Sequence, residues 1–134
     1  MNVRLAPCLL EAIIRHAEAC YPKEGCGLLC GTRDAAERFV PMENMKASES
    51  EYEMDPQQLV LQLRSFRESG LELVAIYHSH PYGPARPSKR DAASAYYPAA
   101  ASIIVSLADL KSPKVAAFRI TGGEVLKVEL HAIV

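Results

Sequence analysis

The residue types and spacing best suited to chemistry lie in one segment, His78-Ser79-His80-Pro81-Tyr82-Gly83-Pro84-Ala85-Arg86-Pro87-Ser88-Lys89-Arg90-Asp91. Two histidines two apart on an extended chain project from one face, because strand side chains alternate with period two. Their imidazoles can therefore converge on one ion with little rearrangement. Pro81 ends the strand, and Pro84 and Pro87 stiffen the loop beyond it, which limits the entropy lost in fixing a third ligand. Asp91 is the candidate for that ligand. Two nitrogens and one carboxylate oxygen leave the fourth position of a tetrahedron open, which separates catalytic zinc sites from closed structural ones. Magnesium and calcium take more oxygen ligands, so the donor set favours zinc.

Each residue alone also has an ordinary structural reading. Ser88-Lys89-Arg90-Asp91 is an N-cap followed three residues later by a carboxylate, a helix start that needs no metal. His78 and His80 could each be a hydrogen-bonded histidine at a strand end. The combination favours a metal centre: a histidine pair leaving an apolar strand, with a carboxylate one stiff loop away. His16 and His131 have no such company and fall on polar faces, so both are expected at the surface. A hydrolytic metal site also needs a group to hold water and move its proton, usually a carboxylate. Glu24, at a turn before Gly25, is one candidate, and Glu43, Glu49, Glu51 and Glu53 compete with it.

The elements that must position these residues are legible in outline. Leu10, Ile13, Ile14, Ala17 and Tyr21 recur at helical spacing over 7–21, and Pro22 stops that helix. Strands are expected at about 26–31 and, after Thr32-Arg33-Asp34, at 37–45. Asp55 as N-cap, Pro56 at the first helical position and Gln58 in a capping box open a second helix. Met54 and Leu59 can staple its start, Leu59, Leu63 and Phe66 form its buried stripe, and Gly70 terminates it. Residues 71–77 run apolar almost without interruption, as a strand covered on both faces does, and lead straight into His78. A short helix over Ser88 to Tyr97 closed by Pro98, a strand at 102–107, and a hairpin of 115–120 and 124–133 complete the order. In the last strand Leu126, Val128, Leu130 and Ala132 face one way. This pattern predicts a single α/β domain, residues 1–134, with a mixed central sheet flanked by helices.

Composition bounds the function. The chain has 134 residues, 49% hydrophobic and 23% charged, enough to bury a core without disulfides. Net charge is −1, from 15 basic and 16 acidic residues, and no basic block stands out, which argues against a nucleic-acid or anionic-membrane surface. The longest apolar stretch, roughly Pro98 to Ala108, is too short to cross a bilayer. The start carries Glu11, Arg15, His16 and Glu18 in an amphipathic pattern and not a signal peptide, so the cytoplasm is the expected location. Cys8, Cys20, Cys26 and Cys30 contain no Cys-x-x-Cys and are expected to be free thiols, with Cys26 and Cys30 acting as small hydrophobes.

An upstream glutamate, then His78-Ser79-His80-Pro81, then Ser88-x-x-Asp91 seven residues beyond the second histidine, resembles the signature of JAMM (MPN-plus) zinc peptidases. The segment Pro22-Lys23-Glu24-Gly25-Cys26-Gly27-Leu28-Leu29-Cys30-Gly31 and the helix start Met54-Asp55-Pro56 are similar to the small stand-alone prokaryotic members. The resemblance covers essentially the whole chain. It implies a cytidine-deaminase-like (JAB1/MPN) fold with one zinc ion per chain on His78, His80 and Asp91. It further implies Glu24 as general acid/base and Ser88 as a donor to the tetrahedral oxyanion. The implied reaction is hydrolysis of a peptide or isopeptide bond after the C-terminal Gly-Gly of a ubiquitin-like or sulfur-carrier protein. A diglycine tail can lie extended in a groove that side chains would block.

Three other readings stand beside this one. RadC-like proteins resemble the same motif, which Gly83 and Pro87 match, although the context of Glu24 points away from them. A non-catalytic module binding ubiquitin-like tails is a second, but scaffolds of this kind lose metal ligands and this chain keeps them. Hydrolysis of small peptides is a third. The His-x-Glu with Pro-Cys-x-x-Cys of zinc deaminases and the His-Glu-x-x-His of zincins are absent. An apolar edge strand could pair two copies, which leaves the oligomeric state open.

Overall fold

Apolar runs too short to cover a helix become strands, and the two long amphipathic segments become the main helices. The computed structural model describes residues 2–93, 97 and 99–132. The element order is β1 (Asn2–Leu5), α1 (Pro7–Cys20), β2 (Cys26–Thr32), β3 (Ala35–Met42), α2 (Pro56–Glu68), β4 (Glu72–His80), α3 (Lys89–Ala93), β5 (Ala101–Ser106), β6 (Lys114–Thr121) and β7 (Glu124–Ala132). The sheet is mixed, as expected, and runs β1-β3-β2-β4-β5-β6-β7. The pairs β1/β3, β1/β7 and β4/β5 are parallel and the others antiparallel.

One strand escaped the sequence reading. Only four residues long, β1 shows too little alternation to stand out, yet Val3 and Leu5 are fully buried while Arg4 faces out to Asp34. By pairing with both β3 and β7 it closes the sheet into a barrel. The apolar edge that could have joined two copies is thus taken up within the chain. No helix among the described residues is long and apolar enough to cross a membrane.

Strand alternation sends side chains into two cores. On the α1 side, Leu29, Ala75, Tyr77, Ile103 and Val105 pack with Val3, Leu5, Ile13 and Ala17. On the α2 side, Cys26, Leu28 and Cys30 pack with Met54 and Phe66, and Leu59, Leu63 and Ile76 lean against them. All four cysteines are free, and burial pushes the Cys26 thiol up to about 12, as a small hydrophobe requires.

The start of α2 departs from expectation in one detail. Asp55 caps it by accepting from the Gln57 backbone N–H at 2.9 Å, but exposed Gln58 does not complete a capping box. The helix stops as expected: Leu71 N–H bonds the Phe66 carbonyl and Gly70 N–H bonds the Arg67 carbonyl, the two bonds of a Schellman turn. The expected strand over 37–45 is shifted to Ala35–Met42, because Asn44 diverts the chain into an irregular strap over 43–55. The expected helix from Ser88 is described over Lys89–Ala93; residues 94–96 and Pro98 lie outside the described residues, and Tyr97 is not helical. In β7, Val128 is buried but Leu126, next to the hairpin turn, is exposed. Ile133, the last residue of the expected strand, lies outside the described residues.

Candidate metal centre

Parallel strands cannot be joined by a tight turn, so β4 must reach β5 through a long crossover, residues 81–100. The candidate centre is built where β4 ends and that crossover begins. From Ala75 onward β4 alternates between the two cores, Ala75 and Tyr77 in one and Ile76 in the other, so its last residues are already assigned: His78 and His80 fall on the face of Ile76, Ser79 on the face of Tyr77. Leu107 N–H bonds the His80 carbonyl at 3.0 Å and fixes the strand end.

The crossover brings Asp91 back over the histidine pair. His78 Nε2, His80 Nε2 and Asp91 Oδ2 form a triangle with sides of 3.1, 3.1 and 3.0 Å. Three ligands on a tetrahedral zinc, with bonds of about 2.0–2.1 Å, would be separated by about 3.3 Å. The sequence-predicted ligands are therefore the His-Asp group that the fold brings together, and among the described residues it is the one group able to hold a metal.

Hydrogen bonding shows what the triangle requires. The Pro84 carbonyl can only accept, so His80 must donate to it from Nδ1, at 2.8 Å. A neutral His80 then presents its Nε2 lone pair to a carboxylate oxygen 3.0 Å away. Two acceptors at that distance need a cation between them, either a proton or a metal. The charge balance agrees. Burial pulls His80 down, but Asp91 and the Pro84 carbonyl outweigh it and raise its pKa. Burial lowers His78, against the pull of Asp91. Burial alone would raise Asp91, but bonds from His78, His80 and the Ser88 N–H hold it well below the usual carboxylate range.

Glu24 is placed by β2. Cys26 pairs with His78 across β2 and β4, and the ladder continues beyond them through Ser79 N–H to the Gly25 carbonyl, 2.9 Å. Ser79, fully buried, also accepts from Gly25 N–H through its hydroxyl at 2.7 Å. A Cβ at Gly25 would sit 2.6 Å from the Tyr77 hydroxyl, so only glycine allows this approach. Glu24 is 4% exposed and its Oε1 has no hydrogen-bond partner. Burial raises its pKa to about 7, against the pull of His80 and with Asp91 and Glu51 adding to the rise. The competing Glu43, Glu49, Glu51 and Glu53 show no such burial.

Ser88 does what its ordinary reading predicts. Its hydroxyl accepts from Asp91 N–H at 3.1 Å, and its own N–H donates to Asp91 Oδ2 at 2.9 Å. That pairing aims the carboxylate at the histidines and leaves the hydroxyl proton of exposed Ser88 free for a further acceptor.

Several residues that sequence reasoning missed complete the site. Ser106 donates to the Gly83 carbonyl at 2.6 Å and pins the loop after His80. Asn44 donates to the carbonyls of Glu24 and Glu51 and accepts from the N–H groups of Lys46 and Glu53, folding the strap against Glu24. Tyr52, on that strap, stacks on His78 with centroids 4.7 Å apart. A cleft of about 580 Å³ opens beside His78, Asp91 and Tyr52, floored by Met54, Leu59 and Ile76. The alternation could have assigned Ser79, but nothing in the irregular strap signals Asn44 or Tyr52.

His131 is exposed beside Glu129, as expected. His16 is not a surface residue. It is half-buried, bonded through Nδ1 to the Tyr77 hydroxyl at 3.0 Å, and burial lowers its pKa. Its helix position, between Ile13 and Ala17, lies closer to the buried face than its polarity suggested.

A barrel of this topology with a His-His-Asp face and a sealed carboxylate beside it defines a metallopeptidase of the JAMM class. The chain belongs to the family described as prokaryotic homologs of the JAB domain, whose model matches residues 7–121. It is 32% identical over 127 residues to the CysO-cysteine peptidase of Mycobacterium tuberculosis, covering 93% of this chain and 87% of that one. It is 46% identical over 84 residues to a probable TtuB-protein conjugate cleaving protease of Thermus thermophilus, covering 62% of this chain but only 56% of that protein. The crystal structure of a JAB1/MPN domain protein from Archaeoglobus fulgidus shares the fold, with a TM-score of 0.63 at 22% identity over 96% of this chain and 99% of the other.

Proposed function

We propose that this protein is a zinc-dependent peptidase that hydrolyses the peptide or isopeptide bond following the C-terminal Gly-Gly of a ubiquitin-like or sulfur-carrier protein. The observation that carries the reading is the triangle of His78, His80 and Asp91 donor atoms, with the unpartnered Glu24 carboxylate sealed nearby. One zinc ion per chain fits that donor set; when bound it supplies Lewis acidity, polarising a carbonyl and acidifying water. Glu24 is the proton carrier. A carboxyl held near pH 7 by burial can take a proton from water and return it to the leaving amine at ordinary pH. The Ser88 hydroxyl proton, left free by the Asp91 pairing, is the donor to the developing oxyanion. The relatives named for a CysO-cysteine bond and a TtuB–protein conjugate support a protein tail as substrate. Four free cysteines support a reducing, cytoplasmic setting.

The test is mass-spectrometric. A ubiquitin-like sulfur carrier extended by a few residues beyond its Gly-Gly is incubated with zinc-loaded and chelator-treated protein. Loss of the extension only with zinc is expected. An extension left intact by fully zinc-loaded protein, on peptide- and isopeptide-linked substrates alike, would overturn the reading.

A further inference from the structure

We propose that Tyr52 is a substrate-binding residue, its hydroxyl donating a hydrogen bond to a backbone carbonyl of an extended peptide lying in the cleft beside His78. The assignment rests on the peptidase reading above. Stacking on His78, 23° from coplanar, fixes the plane of the Tyr52 ring, and Asn44 fixes the strap that carries it. Tyr52 borders the cleft together with His78 and Asp91, so any chain placed there for cleavage passes the phenol. The hydroxyl bonds no described residue, and it is not among the sealed, unpartnered oxygens. It is a donor without an acceptor among the described residues, on a side chain that lines the cleft. The floor, Met54, Leu59 and Ile76, offers a peptide apolar contact but no partner for its carbonyls. Lys46, Arg90 and Ser102 also border the cleft, but Tyr52 is the donor stacked on His78, so its hydroxyl meets a carbonyl close to the bond to be cleaved and sets the register of the extended backbone there.

The alternative is that Tyr52 only packs against His78. Tyr52→Phe separates the two, since it keeps the ring and its stacking and removes only the hydroxyl. With zinc-loaded protein and the extended sulfur carrier, kcat/KM is expected to fall about 5- to 30-fold, with zinc content and Tm unchanged. A second measurement needs no turnover. A synthetic hexapeptide ending in Gly-Gly is titrated by calorimetry into metal-free protein, and then a series of analogues, each with one peptide bond replaced by a trans-alkene that lacks the carbonyl. In the wild type one replacement weakens binding by a similar factor; in Tyr52→Phe that replacement costs nothing further. Wild-type cleavage and binding in Tyr52→Phe, or additive losses in the cycle, overturn the assignment and leave the peptidase reading intact. A wild-type protein that neither cleaves nor binds any Gly-Gly tail overturns both.

Discussion

The centre has two halves that are held in place differently. His78, Ser79 and His80 stand on β4 and Glu24 sits two residues ahead of its partner strand β2, all buried, with the backbone ladder and the Ser79–Gly25 clamp holding them. Asp91, Ser88 and Tyr52 come from a five-residue helix, a proline-stiffened loop and an irregular strap, and are more exposed. The strand half sets position to within the precision of a hydrogen-bonded sheet. The loop half depends on local contacts: the Ser88–Asp91 pairing, the Arg90–Glu51 ion pair at 2.9 Å and the Asn44 hub. Under the proposed function, the proton-carrying carboxylate belongs to the half held by the backbone ladder, and Ser88 and Tyr52, proposed to touch substrate, to the half held by local contacts.

The largest expected effect lies in the strand half. Glu24→Gln removes proton transfer but no ligand, so turnover should fall by about 10²–10⁴-fold while zinc content, read by atomic emission, stays at wild type. Wild-type turnover would move the proton carrier elsewhere. Next come the ligands. His80→Ala and Asp91→Ala should each weaken zinc binding by more than about 100-fold, the scale seen for outer partners alone. If only the strand half were needed, Asp91→Ala would bind zinc normally, which a competition titration with a chelator would reveal.

A third expectation concerns pH. In the metal-free protein burial raises Glu24 from 4.5 to about 7. A carboxyl raised in the folded state favours folding most below its unfolded pKa, and that contribution is lost as pH rises through 7. Glu24→Gln should therefore equal wild type near pH 4 and exceed it at pH 8 by up to about 3 kcal/mol. Asp91, depressed in the fold, acts in the opposite sense in both proteins and mostly cancels in the difference. Denaturant titrations at the two pH values check this; a gap independent of pH would refute it.

The smallest effect compares two serines. Ser79→Ala leaves the buried Gly25 N–H without its partner and should cost about 1–3 kcal/mol. Ser88→Ala loses an exposed helix cap and should cost about 1 kcal/mol. Equal losses in Tm would mean that the two halves are not held so differently.

The strand half was largely readable in advance. An apolar run ending in His-x-His fixes which residues share a face, and a prolyl loop ending in Ser-x-x-Asp supplies a carboxylate within reach. Of the loop half, Asp91 was readable from that spacing and the oxyanion role of Ser88 only as a resemblance, while Tyr52 gave no signal, because the strap has neither period. His16 was misjudged because one polar side chain near the edge of a helix's apolar stripe does not show which neighbour will cover it; Tyr77, from a strand far along the chain, does so.

By itself the sequence determined the local terms: which segments are helices, where α2 starts and stops, which face of β4 carries the histidines, and which residue types could bind a metal. Those depend on alternation, capping and side-chain chemistry, which act over a few residues. Only the tertiary structure decided that β1 closes the barrel, that Glu24 and not another glutamate is sealed beside the histidines, and that Tyr52 stacks on His78. These follow from contacts between residues distant in the chain, where strand register and burial, not sequence neighbours, choose the partner.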